Sequence, residues 1–312
     1  MIEISNITRL YGAQTAVDSV TLTIEAGALA VIVGTSGSGK TTLMRMINRL
    51  VEPSAGTIKI NGKDNRELPA HILRRGIGYA IQGHGLFPHR TIAENVGTVP
   101  RLLGWDNGKI NARVDELLSL FHLDPAAFRN RMPHELSGGQ QQRIGVARAL
   151  ASNPAILLMD EPFGALDPII RDKAQEDLLA IQKHYGTTIV LVTHDMEEAI
   201  RLGSSIAVMD KGRLLQYATP EEIIARPATE FVQALVGGGN DKVFRLLSLR
   251  KVESLVEPGQ AKGEAISSQT SLREALGASL SSGRLELPVS HNGSLIGRIT
   301  RSSIEEHARR LA

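Results

Sequence analysis

The sequence predicts an α/β chain built on a parallel sheet with helices on its faces. Three observations carry that prediction. Residues 34–41, Gly34-Thr35-Ser36-Gly37-Ser38-Gly39-Lys40-Thr41, fit the phosphate-cradling loop Gly-x-x-x-x-Gly-Lys-[Ser/Thr] at every fixed position. The run Leu29-Ala30-Val31-Ile32-Val33 before them reads as a buried strand, and Leu43, Met46, Ile47 and Leu50 after them recur at helical spacing. From Ala155 to Thr193 the order is strand, helix, strand, the alternation of a parallel sheet.

The remaining elements follow along the chain. Residues 2–8 and 20–25 alternate apolar and polar side chains and read as half-buried strands, as do 57–61 and 77–81. A helical stretch is expected from about Ile92 to Phe121, with apolar and charged faces around Arg113-Val114-Asp115-Glu116-Leu117-Leu118. Leu136-Ser137-Gly138-Gly139-Gln140 opens another helix, running to about Ser152, with Ser137 as its N-cap. Gly237-Gly238-Gly239 reads as a flexible joint between domains 1–237 and 238–312. Beyond it, Leu272 to Leu280 is helical, and Leu285–Val289 and Leu295–Ile299 are strands around the Asn292-Gly293 turn signal. Ser302 to Leu311 is a helix capped by serine.

Composition narrows the function. A chain of 312 residues suggests about two domains. Its net charge of +2 gives no argument for nucleic acid or an anionic membrane surface. Cysteine is absent, which excludes disulfides and thiolate metal sites and fits a cytosolic location. No apolar run reaches the ~18 residues of a membrane span, and Met1-Ile2-Glu3-Ile4 lacks the pattern of a secretory leader. Any membrane role must therefore come through a partner. His84 and His89 are the closest histidine pair, and no His-Glu-x-x-His pattern points to zinc.

The chemistry-bearing residues fall at strand ends and helix starts. In residues 34–41, backbone N–H groups and the helix dipole make an anion site. Lys40 would reach the terminal phosphates and Thr41 would hold Mg²⁺. The apolar strand Ile156-Leu157-Leu158-Met159 ends in Asp160-Glu161, and ligands of parallel sheets gather at such ends. Asp160 is expected to help hold Mg²⁺, and Glu161 to orient or deprotonate a water for in-line attack on a γ-phosphate. The strand Thr188–Thr193 ends in His194, which can hydrogen-bond the γ-phosphate or the attacking water. Gln82 ends another strand, and its amide can ligate Mg²⁺ or hold water. Ser137, Gly138, Gly139 and Gln140 form a second phosphate-binding helix end. One nucleotide is already cradled by residues 34–41, so the nucleotide of a second chain is the natural client.

Together these motifs resemble the ATP-binding subunit of an ATP-binding-cassette (ABC) transporter, over roughly residues 1–236. Gly34–Thr41 are similar to its Walker A loop, Ile156–Glu161 to Walker B and Leu136–Gln140 to its signature. Gln82 matches the Q-loop, Ala165-Leu166-Asp167 the D-loop and His194 the switch histidine. The resemblance implies an ABC-type P-loop NTPase fold: a mixed sheet core, an antiparallel β subdomain and a helical subdomain at about 83–152. It implies that Tyr11 stacks on adenine, that Thr35, Ser36, Ser38, Thr42 and the loop glycines surround the phosphates, and that Asp167 belongs to the nucleotide site. It also implies a homodimer sandwiching two ATP molecules and driving transmembrane permease subunits at the cytoplasmic face of the membrane. An extracytoplasmic solute-binding protein would take part indirectly, and the segment around Gly85-Leu86-Phe87-Pro88-His89 would receive the permease.

The combination Tyr79-Ala80-Ile81-Gln82, Gly85–His89 and Asp160–Pro168 is similar to importer ATPases for glycine betaine, choline and related osmoprotectants. Those proteins often carry paired cystathionine-β-synthase (CBS) motifs, and about Glu264 to Leu311 resembles one such motif without a second copy. The alternatives are an importer ATPase for another small solute, such as an amino acid, and an ABC ATPase outside transport. Against the latter stand the single cassette and the absence of sustained heptads.

Overall fold

The computed structural model describes residues 1–81, 83, 85–164, 166–237 and 240–311. The chain divides into two compact units, Met1–Ala218 and Thr219–Ala312. The strands are β1 (Ile2–Tyr11), β2 (Gln14–Ile24), β3 (Leu29–Gly34), β4 (Ala55–Ile60), β5 (Lys63–Asp64), β6 (Ile77–Ala80), β7 (Ile156–Asp160), β8 (Thr188–Thr193), β9 (Ser205–Asp210), β10 (Arg213–Ala218), β11 (Ile266–Ser267), β12 (Glu286–His291) and β13 (Ser294–Thr300).

In the first unit, the described residues form a six-stranded sheet of order β10-β9-β3-β8-β7-β6 and a four-stranded sheet of order β2-β1-β4-β5. β3, β6, β7, β8 and β9 run parallel, and β10 returns antiparallel to β9. The four-stranded sheet is antiparallel throughout. The chemistry of the strands explains the difference. β3, β7 and β8 are buried at every residue, as strands covered on both faces must be. β2 alternates buried and exposed residues at its C-terminal half, as a half-covered strand does. Parallel pairing brings the C-terminal ends of β3, β7 and β8 to one sheet edge.

The expected helix from Ile92 to Phe121 is instead three helices, Ile92–Val96, Thr98–Leu102 and Asn107–Leu120. Gly97 ends the first, and Gly104, at φ 76°, lies beyond the second. Asp106 caps the third through the N–H of Lys109. The helix after the phosphate loop spans Lys40–Ile47, so Leu50 falls beyond it and is exposed.

The second unit begins ahead of the triple-glycine segment, of which Gly238 and Gly239 lie outside the described residues. The helix Pro220–Ala225 packs on the helix Asn240–Leu249, and Arg250 pairs with Glu221 at 3.3 Å. β11, β12 and β13 form a small mixed sheet, flanked by the helices Leu272–Ser282 and Arg301–Leu311. Its core is separate, with Leu247, Val252, Leu272, Leu287, Val289 and Ile304 buried together. Asn292 and Gly293 turn the hairpin with φ of 49° and 83°, the left-handed pair such a turn needs. The last helix starts one residue earlier than the sequence suggests. Its cap is Thr300, whose Oγ1 accepts from the N–H of Ser303.

Candidate nucleotide site

The loop between β3 and the helix Lys40–Ile47 is closed by its own lysine. Lys40 Nζ donates to the carbonyls of Gly34 and Thr35, both at 2.8 Å. Lys40 is buried, and burial pushes its ammonium below the usual lysine range, against the opposing pull of Glu161 and Asp160. Gly39 holds φ at 97°, and a Cβ there would strike the carbonyl of Ala16. At Gly34 a Cβ would strike the carbonyl of Met209. Ser36 and Gly37 are exposed, whereas Ser38 is buried and its Oγ has no hydrogen-bond partner among the described residues. An orphaned hydroxyl inside a glycine loop fits a site built for an oxygen-rich ligand.

Thr41 Oγ1 donates to Asp160 Oδ1 at 3.0 Å, joining the helix start to the end of β7. Asp160 is 2% exposed, and burial holds its carboxyl above the usual range despite that hydrogen bond and Arg45. A hydroxyl and a carboxylate side by side are hard oxygen donors, which suit Mg²⁺ and its retained waters. Gln82, the third expected ligand, lies outside the described residues.

Glu161 follows β7 and has φ of 48°, a left-handed conformation costing a non-glycine residue about 1–2 kcal/mol. Its N–H donates to the carbonyl of Val192 at 2.9 Å, so the neighbouring strand β8 fixes its backbone. Two residues on, His194 leaves β8 and places Nδ1 3.4 Å from Glu161 Oε1. The His194 side chain is 64% exposed, open to a ligand arriving over the sheet edge. A cavity of about 280 Å³ adjoins both residues, walled also by Ile81, Gln142, Val146 and Pro162. A carboxylate beside an imidazole, both lining one cavity, can hold and deprotonate a water.

Ser137 caps the helix Gly138–Leu150 through a reciprocal box. Its Oγ accepts from Gln140 N–H at 3.3 Å, and Gln140 Oε1 accepts from Ser137 N–H at 3.0 Å. Ser137 and Gly138 are exposed, and a Cβ on Gly139 would press Leu166 at 3.2 Å. Asp167 caps the helix Pro168–Tyr185 by accepting from Ile170 N–H at 3.1 Å, and Ala165 lies outside the described residues. Tyr11 is 48% exposed at the β1–β2 turn, with the guanidinium of Arg9 4.4 Å from its ring centroid.

Thus Lys40, Thr41, Asp160, Glu161 and His194 gather at one sheet edge. Sequence reasoning passed over Arg45, whose Nη2 stands 3.8 Å from Asp160 Oδ2 and whose Nε donates to the Tyr79 hydroxyl at 3.4 Å. Its signal was present: Arg45 follows Thr41 by one helical turn and shares its face. Asn95 was also passed over. It is fully buried, and its amide fastens the segment carrying Phe87.

Comparison with known proteins gives one consistent family. Residues 17–164 match the family model described as ABC transporter. The chain is 49% identical over 290 residues to the glycine betaine uptake system ATP-binding protein YehX of Escherichia coli, spanning 93% of this chain and 94% of that protein. It is 50% identical over 238 residues to the glycine betaine/carnitine/choline transport ATP-binding protein OpuCA of Bacillus subtilis, spanning 76% of this chain and 62% of that one. Among solved structures, the dimeric ATP-binding cassette MJ0796 bound to ADP and Pi matches with a TM-score of 0.65 and 33% identity, over 70% of this chain and 99% of that one.

Proposed function

The chain belongs to the ABC transporter family as an ATP-hydrolysing subunit that takes ATP with Mg²⁺, and we propose that it energises import of a quaternary-amine osmoprotectant such as glycine betaine or choline. The observation that carries the hydrolytic part is the meeting of Glu161 and His194 at the same sheet edge as the loop closed by Lys40. The similarity over nearly the whole length to a glycine betaine uptake ATPase supports the cargo class.

In this reading, Lys40 and the N–H groups of residues 34–41 bind the phosphates and neutralise their charge. Thr42 continues that helix start, and Tyr11 offers a ring face to the adenine. Thr41 and Asp160, with Gln82, would hold Mg²⁺, which supplies charge neutralisation on the β- and γ-phosphate oxygens. Glu161 takes a proton from the water as its oxygen forms the bond to phosphorus and the bond to the leaving ADP oxygen breaks. His194 keeps Glu161 and the water in line. Ser137, Gly138, Gly139 and Gln140, with Asp167, serve the nucleotide of a second copy, so two chains close around two nucleotides.

Closure would be transmitted to transmembrane permease subunits at the cytoplasmic face, fed by an extracytoplasmic solute-binding protein. Among the described residues no helix is long and apolar enough to cross a membrane, so transport in this reading needs that partner. The test is uptake of radiolabelled glycine betaine, choline, proline and methionine into vesicles carrying this subunit with its permease and binding protein. ATP-dependent uptake of a quaternary amine is expected. Uptake of another solute alone would discard the cargo class and keep the transport role.

A further inference from the structure

Behind the His194 turn lies a polar pair with no place in the chemistry described above. Glu198 is 6% exposed and Gln175 3% exposed. Gln175 Nε2 donates to Glu198 Oε1 at 3.0 Å. The two residues belong to different helices, Pro168–Tyr185 and Met196–Leu202, which follow Asp167 and His194 respectively. Burial pushes the Glu198 carboxyl above the usual range, opposed by hydrogen bonds from Thr193 and Gln175.

The pair is wired into the turn itself. Thr193 Oγ1 accepts from the N–H of Asp195 at 3.0 Å. Asp195 then accepts from the N–H groups of Glu197 and Glu198, at 2.8 and 3.3 Å. His194 therefore sits in a turn whose flanks, Thr193 and Asp195, are bonded to one another and to the first N–H groups of the helix that carries Glu198. A second tie runs parallel. Arg171 lies 3.8 Å from Asp195 and donates to the carbonyl of Leu166, beside Asp167. Arg171 and Gln175 stand one turn apart on one helix face, matching Asp195 and Glu198 on the other helix.

We propose that Glu198 is a positioning residue that, through Gln175, fixes the helix capped beside His194 to the helix that follows Asp167. This inference rests on the reading of His194 as a catalytic residue. The Glu198 carboxylate touches no reacting atom. It sets where the imidazole stands when Glu161 and the water are in line, so it governs turnover and not nucleotide affinity.

The test uses the full chain and steady-state ATP hydrolysis. Glu198→Ala is expected to lower kcat about tenfold with KM for ATP within about twofold, the scale of a misplaced catalytic group. Glu198→Gln, which keeps an acceptor for Gln175, is expected to restore most of kcat. In a His194→Ala background, Glu198→Ala is expected to add no further loss. Should Glu198→Ala fail to fold, Gln175→Met removes the donor at similar volume and carries the same expectations. Full kcat in Glu198→Ala, or an equal further loss in the His194→Ala background, would overturn the proposal while leaving His194 in place. Wild-type turnover in His194→Ala would overturn the His194 assignment and this inference with it.

Discussion

Glu161 combines a left-handed backbone with a backbone tie to β8 and an imidazole neighbour, so its carboxylate is aimed rather than free. Replacing it by glutamine keeps size and removes basicity. Glu161→Gln is expected to bind ATP normally while turnover falls by about 10²–10⁴, or about 3–5 kcal/mol of barrier. Nucleotide binding by fluorescence beside phosphate release checks both halves, and unchanged release would remove Glu161 from its role. Asn95 offers a contrasting case with no part in catalysis. Its side-chain oxygen accepts from Phe87 N–H at 2.7 Å, and its NH₂ lies within 3.0–3.1 Å of the carbonyls of Phe87, Arg90 and Thr91. Phe87, at 38% exposure, is thereby presented on a stiff segment. Asn95→Ala strands these groups and is expected to cost about 2–3 kcal/mol, read from the urea midpoint. A loss below half that would mean water replaces the amide.

At the scale of elements, the pair of helices behind His194 makes stability depend on pH. Burial holds the folded Glu198 carboxyl above the ordinary glutamate value of 4.5, so the folded chain keeps a proton that the unfolded chain loses. Stability therefore falls as pH rises from about that value through the raised folded one. Glu198→Gln lacks this liability. Its stability relative to wild type is expected to improve as pH rises through that window, measured by urea unfolding at several pH values. A constant difference would show a carboxyl titrating alike in both states. These same elements mark how far the sequence could be read. The phosphate loop, the Asp160-Glu161 strand end and the Ser137 cap were legible because each is local: a few adjacent residues fix the conformation and the chemistry together. The breaks between 92 and 121 had local signals as well, in Gly97, Pro100 and Gly104, but the amphipathic spacing around 110–118 masked them when it was extended across the whole stretch. The Gln175–Glu198 pair was hidden for another reason. On the sequence each looks like a solvated polar residue, and tertiary packing alone buries them against one another.

For the whole molecule, separate cores make the two units separable in principle. The one buries the faces of β1 to β4 and β6 to β9 with the phosphate-loop helix, the other the faces of β12 and β13 with their helices. A fragment of residues 219–312 is expected to unfold cooperatively by itself, followed by circular dichroism on heating. A featureless melt would show that this unit needs the first for its fold. Its helix–strand–turn–strand–helix order was readable because the Asn292-Gly293 turn and the capped helices are local too. Which ligand or copy it meets is a matter of surface, about which one chain's pattern says little. The parallel pairing of β7 with β8 carries one more consequence. Asp160 faces Val192 in register, and both reactive side chains follow within two residues. Exchanging one apolar residue for another in these strands leaves that spacing intact. Gaining or losing a single residue slides one strand by about 3.3 Å and turns its side chains to the opposite face. Descendants of this chain are therefore free to drift in spelling along β7 and β8, but a frame error of one residue there separates Glu161 from His194 and silences the protein.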